Sequence, residues 1–240
     1  WTYYAPGDFY SVAISADGSC VAAGNGSHVF FWMNAKSRTP GNTDPTWTSV
    51  DLGGPIEYRC LAISDDGNYV VAGGTGPTVY YWANAKGRTG SSQAVTWQKG
   101  GFVDVWAVDM SSDGNYVVAG VATKVAYWKD AATSRHIIDS TEDWLSPNLI
   151  DVVVDVAVSD DGNYVAAAAT TDTVYYWAGA RDLPANPPPT WSSGAGIYFT
   201  SIDMSSDGDK VIAGALGPPE DQGVYFWSGA RTRSGTEDWS

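Results

Sequence analysis

Cysteine and histidine are nearly absent from this 240-residue chain, which has two of each. Two cysteines cannot build a disulfide framework. His28 and His136 stand in unlike contexts with no second ligand at metal spacing, so no metal site is expected. Basic residues are scarce as well: 13 Lys and Arg against 27 Asp and Glu leave a net charge of -14. That balance argues against a nucleic-acid backbone or an anionic membrane surface as partner. No apolar run approaches the roughly 20 residues that cross a bilayer, so no membrane insertion is expected. G-x-S-x-G, a Cys/His pair and a phosphate-cradling Gly loop are all missing, so no catalytic residue and no cofactor are assigned.

What the chain has is a repeat. The stretch Ser64 to Trp82, SDDGNYVVAGGTGPTVYYW, recurs with variations ending at Trp32, Trp128, Trp177 and Trp227. The Asp-Gly pairs begin at Asp17, Asp66, Asp113, Asp161 and Asp207, which sets successive units 49, 47, 48 and 46 residues apart. Each unit reads as strands with no helix. An alternating run such as Val12 to Ser15 comes first, then a tight Asp-Gly turn in which Gly takes positive φ and Asp accepts from backbone donors. A Val/Ala-rich second strand follows, then an aromatic third strand. A further Trp announces the fourth: Trp47, Trp97, Trp144, Trp191 and Trp239. Four short antiparallel strands per period of this length make a propeller blade.

The I-S-x-D-G-x-Y-V-x-A-G signature resembles the WD40-like and quinoprotein-like repeat propellers of many microbial surface proteins. It is the structural hairpin of each blade and implies a fold without implying a ligand. The Gly-His and Trp-Asp dipeptides of true WD40 repeats are missing. So is the Trp-docking pattern of quinone-binding dehydrogenases, so pyrroloquinoline quinone is not implied.

The expected architecture is an all-β, five-bladed β-propeller with four antiparallel strands per blade, a single domain over residues 1–240. Its repeats run over about 7–53, 54–102, 103–149, 150–196 and 197–240. Residues Trp1 to Pro6 align with the fourth strand beginning at Trp47, and are expected to close the ring as the outer strand of the last blade, removing its open edge. The long connections after the third strands carry most of the basic residues and lie beside the acidic turns, where they balance charge. Leu183 to Pro189 reads as an extended polyproline strip.

A binding role is expected where the blades differ, in the loops leading into the inner strands: Phe9, Tyr10, Tyr58, Arg59, Trp106 and Phe199, centred on Trp106 and Arg59. Glu57, Asp109, Asp155 and Asp203 are the carboxylates to inspect in the channel, since two of them at about 5–10 Å would suit glycoside hydrolysis; acidic lining that holds water or a cation is the plainer account. The expected function is a non-catalytic extracellular recognition or structural module, one unit of a larger surface protein, a homo-oligomer or another assembly, with a protein or glycan partner. A sugar-binding lectin and a glycosidase-like five-bladed enzyme are the alternatives. Asn25-Gly26-Ser27 is a glycosylation sequon that matters only in a secretory route. Cys20 and Cys60 lie at different levels of their blades, roughly 13 Å apart along the strands, and are expected to stay unpaired.

Overall fold

The structure, a computed structural model, describes residues 7–39, 41–51, 57–135, 141–149, 151–170, 173–193, 197–217 and 222–237. The described residues form five sheets, one per repeat. The first joins Phe9–Ile14, Val21–Asn25, Val29–Trp32 and Trp47–Ser49, antiparallel in chain order. The second runs from Tyr58–Ile63 through Val70–Gly74 and Val79–Trp82 to Trp97–Lys99, and the third from Val105–Met110 through Val117–Val121 and Lys124–Trp128 to Trp144–Leu145. Val153–Val158, Tyr164–Ala169, Val174–Ala178 and Trp191–Ser193 make the fourth, while Tyr198–Met204, Lys210–Leu216 and Gly223–Ser228 make the fifth. The closing strand expected from residues 1–6, the fourth strand expected at Trp239, and His136 lie outside the described residues.

Each Asp-Gly hairpin is held by the same three side-chain bonds. In the third unit, Ser111 Oγ donates to Asp113 Oδ1 at 2.6 Å, that oxygen also accepts from Asn115 N at 2.9 Å, and Ser111 Oγ accepts from Tyr116 N at 3.0 Å. These bonds satisfy the polar groups of a turn that would otherwise leave donors unmade. The Gly must be Gly. Gly162 sits at φ +71°, and a Cβ there would lie 2.0 Å from the Tyr116 ring of the preceding sheet.

The core lies between sheets, in four clusters that each join one sheet to the next. Aromatic towers form the outer part of every junction. Trp97 stacks on Tyr81 of its own sheet at 4.9 Å and meets Trp128 of the next at 5.8 Å; Trp144 does the same with Tyr127 and Trp177, at 5.1 and 5.8 Å. Short 3-10 turns follow the third strand in four units, at Ala35–Ser37, Ala85–Gly87, Ala180–Asp182 and Ala230–Thr232. They correct the helix-free reading of the repeat. Asn34, Asn84, Gly179 and Gly229 enter them in the left-handed region, which these residue types tolerate. The first residue of the turn then accepts the indole N–H of the preceding sheet's fourth-strand Trp: Trp47 donates to Ala85 O, Trp144 to Ala180 O and Trp191 to Ala230 O, at 2.8 to 2.9 Å.

A second lock runs from the third strand to the next turn. Tyr81, Tyr127 and Tyr176 donate their hydroxyls to the carbonyls of Gly114, Gly162 and Gly208 at 2.6 to 2.7 Å. Tyr127→Phe removes one such buried bond and leaves the Gly162 carbonyl unpaired, at an expected cost of about 1–2 kcal/mol in urea unfolding. No measurable loss would show that the hydroxyl is not a lock.

The long connections reach backward over the outer edges. Gly90–Gln93 runs parallel to Trp47–Ser49, and Gly235–Glu237 runs parallel to Trp191–Ser193. The proline strip does the same for the third sheet, where Leu145 N donates to Ala185 O at 3.1 Å. Covered edges of this kind remove templates for strand addition. The arginines of these connections are mostly internal clamps. Arg88 donates to Ala83 O at 2.9 Å and to Thr96 Oγ1 at 2.9 Å, and Arg38 repeats the pattern on Met33 O and Thr46 Oγ1. The expected charge balancing occurs at Arg231, 3.3 Å from Asp209.

Both cysteines are free and buried. Asn25 is buried too, its Oδ1 accepting from Ser27 N and His28 N at 2.9 and 2.8 Å, so the side chain of the sequon shapes a turn.

Candidate functional site

Every inner strand carries one irregularity at the same register. The pairing shifts between Phe9 and Ser11, Tyr58 and Cys60, Val105 and Ala107, Val153 and Asp155, and Phe199 and Ser201. Such a bulge leaves one residue out of the ladder and re-aims its side chain. The bulged residues are Tyr10, Arg59, Trp106, Val154 and Thr200, five different side chains on five equivalent backbones.

Four of the five line one cleft of about 330 Å3 that also reaches Ser11 on the first strand and Asp155 deeper in the channel. All five inner strands therefore converge on it. Tyr10, the fifth bulge residue, is exposed at the same level. Trp106, 40% exposed, is the one exposed tryptophan among the described residues. Arg59 is exposed and ion-paired to Glu57. The Glu57 carboxylate raises the pKa of the Tyr10 phenol, to which it is also hydrogen-bonded.

The sequence expectation placed six residues here, and the structure keeps three of them at the surface: Tyr10, Arg59 and Trp106. Tyr58 and Phe199 are corrections. Each stands one residue before the bulge, where the side chain turns between sheets: Tyr58 is fully buried edge-on to Tyr80 at 5.8 Å, and Phe199 is buried against Tyr225 at 5.7 Å. Phe9 has the same register and is half-buried, edge-on to Phe30 at 5.5 Å. Val154 and Thr200 belong to the set as well; the sequence places both at the variable entry positions, but nothing in their residue types singles them out for binding, whereas their place seven residues before the Asp-Gly does.

Two of the channel carboxylates hold neighbouring strands together. Asp109 Oδ2 accepts from Val158 N at 2.8 Å and Asp155 Oδ2 from Ile202 N at 2.8 Å, each across a sheet junction. Asp203 Oδ1 accepts from Met204 N at 2.8 Å. Loss of solvent pushes the Asp109 carboxyl up to about 7 against the pull of the Val158 and Met110 amides, with Asp203 and Asp155 adding to the rise. Asp155 is raised for the same first reason. Among the described residues no three His, Cys, Asp or Glu side chains come together in a metal-holding group.

A family profile described as WD domain, G-beta repeat, matches residues 53–83. Across the whole chain, a chain in the crystal structure of the mitotic checkpoint complex superposes with a TM-score of 0.70 at 19% identity, covering 95% of this chain and 62% of that one. The fold is a WD40-like β-propeller. No curated protein matches the sequence. The chain thus spans under two thirds of the propeller chain it resembles, and at this identity the likeness concerns the fold. Within this chain the repeated hairpins supply the scaffold, and the bulge positions around the cleft are where its units differ.

Proposed function

We propose that this chain is a non-catalytic recognition module of five blades, and that a protein partner docks on the channel-mouth face with Trp106 and Arg59 at its centre. One observation carries the reading: five equivalent bulges present five unlike side chains, four of them lining a single cleft, while the hairpins between them are nearly interchangeable. An exposed Trp beside an exposed Arg is the pairing that dominates interfaces once desolvated. The engagement of Asp109 and Asp155 by backbone amides favours a structural role for them over acid and base work. The lectin alternative loses support because the other described tryptophans are taken up in the towers or half-buried.

The test uses proteins from the producing cell, captured on the wild-type chain and on Trp106→Ala and Arg59→Ala. A genuine partner is lost, or weakened by about 30-fold, with either variant. Because Trp106 is exposed, its truncation is expected to move the unfolding free energy by less than about 1 kcal/mol. A partner that binds both variants unchanged sinks the reading, and so does a collapse of stability at Trp106→Ala.

A further inference from the structure

The turn after the third strand carries a basic residue four places beyond the Trp in four of the units, as Lys36, Lys86, Arg181 and Arg231. In the fourth and fifth sheets this residue reaches back over the preceding sheet. The Arg181 guanidinium carbon lies 5.8 Å from the centre of the Tyr116 ring, and that of Arg231 lies 5.9 Å from the centre of Tyr164. Arg231 also donates to Asp209 Oδ1 at 3.3 Å. Tyr164 is the ring that covers Gly208, and Asp209 is the residue after that Gly.

The third sheet breaks the series. Ala131 N donates to Asn115 O and Ala131 O accepts from the indole of Trp97, as Ala180 and Ala230 do in their own sheets. The residue equivalent to Arg181 and Arg231 is therefore Ala132. Two groups are left without the partner that their counterparts have. Tyr69 covers Gly114 and stacks on Tyr81 at 6.1 Å, as Tyr116 stacks on Tyr127 and Tyr164 on Tyr176, but among the described residues no Lys or Arg stands over its ring. Asn115, at the register of Asp209, keeps its Oδ1 buried with no hydrogen-bond partner. The charge around them has one sign. Burial raises the phenols of Tyr127 and Tyr176, and Arg181 and Arg231 pull them back; burial raises Tyr81 too, and its other neighbours, Tyr69, Asp113 and Asp66, only add to the rise. All 13 Lys and Arg of the sequence are among the described residues, so none of them fills the place.

We propose that the place over Tyr69, between the second and third sheets, is a binding site for an arginine side chain from outside these 240 residues. The guanidinium stacks on the Tyr69 ring, is drawn by the Asp66 and Asp113 carboxylates, and gives Asn115 Oδ1 the donor it lacks. Arg231 makes the corresponding contacts with Tyr164 and Asp209, so the chain itself contains the template. A planar guanidinium suits the place better than an ammonium, because it stacks on a ring and donates sideways at once. The site is at the Asp-Gly end of the inner strands and the cleft at Trp106 is at the other, so it stands apart from the channel-mouth reading.

Titration of the whole chain with N-acetylargininamide, followed by NMR, is expected to shift the Gly114 amide and the Tyr69 ring signals to saturation. Gly162 and Gly208, whose covering rings already carry Arg181 and Arg231, are expected to stay unmoved. N-acetylcitrullinamide, with the same shape and no charge, is expected to shift none of them. Ala132→Arg supplies the cation from within the chain and is expected to weaken the probe at least about tenfold, with the Asn115 signals moved towards their bound positions. Tyr69→Leu removes the ring and is expected to weaken it about 2- to 5-fold, while Trp106→Ala leaves it unchanged. Equal shifts at Gly114, Gly162 and Gly208 would reduce the effect to attraction by an acidic surface and overturn the site, as would an Ala132→Arg variant that binds the probe like the wild type. The same titration on the chain purified from its producing cell reads the source of the arginine. A shift at Gly114 assigns it to a separate polypeptide; a Gly114 signal already at the saturated position and indifferent to the probe assigns it to the same polypeptide.

Discussion

Trp144→Ala is expected to lower the unfolding free energy by about 4 kcal/mol. Three losses combine at this position. The indole is 1% exposed, so truncation opens a cavity between the third and fourth sheets. Its ring stacks on Tyr127 at 5.1 Å and meets Trp177 at 5.8 Å, and those faces lose their partner. Its Nε1 donates to Ala180 O at 2.8 Å, which leaves a buried carbonyl unmet. Because sheets touch mainly their neighbours, the damage concentrates at one junction and the array is expected to unfold in two steps. Guanidinium unfolding followed by circular dichroism checks both points. Trp144→Phe should recover part of the loss, and a cost below about 1 kcal/mol would show that the tower does not hold the junction.

Asp109 is expected to make the protein less stable as pH rises from about 4 to 7, by about 3 kcal/mol, and Asp109→Asn to abolish most of that slope. The sign follows from the direction of the shift. Burial raises the folded carboxyl to about 7, from 3.8 in an exposed chain. Between those values the folded state holds a proton that the unfolded state has released, so raising the pH favours unfolding; above about 7 the two states match and the curve flattens. An Asn carbonyl still accepts from Val158 N but carries no charge into the junction. Asp155 moves in the same direction, so some slope remains in the variant. Urea midpoints at pH 4, 6 and 8 for both proteins make the measurement, and parallel curves would refute the assignment.

The hairpins and the towers were legible in the sequence because their residue types are forced. Ser111, Asp113 and Gly114 make a turn that few other residues complete, and Trp144 recurs at a spacing that only a repeated sheet explains. The bulge was not legible. It shifts pairing by one residue without changing composition, so Tyr58 and Arg59 look equally available, although one is buried in a junction and the other stands at the mouth. Val154 and Thr200 show the converse, ordinary residues placed at the site by backbone geometry alone. The exposure of Val12 was hidden for a different reason: it reads like the buried Leu61, and nothing in the local pattern tells the first unit of an array from the second.

The indole locks are also evenly short in the chain. Trp47, Trp97, Trp144 and Trp191 find their acceptors 38, 34, 36 and 39 residues further on. Each lock therefore closes a loop of nearly constant length, and none waits for a distant part of the polypeptide. During synthesis the chain can set its sheets one after another as they leave the ribosome, each finished unit serving as the template for the next, with closure entropy that hardly changes from the first junction to the last.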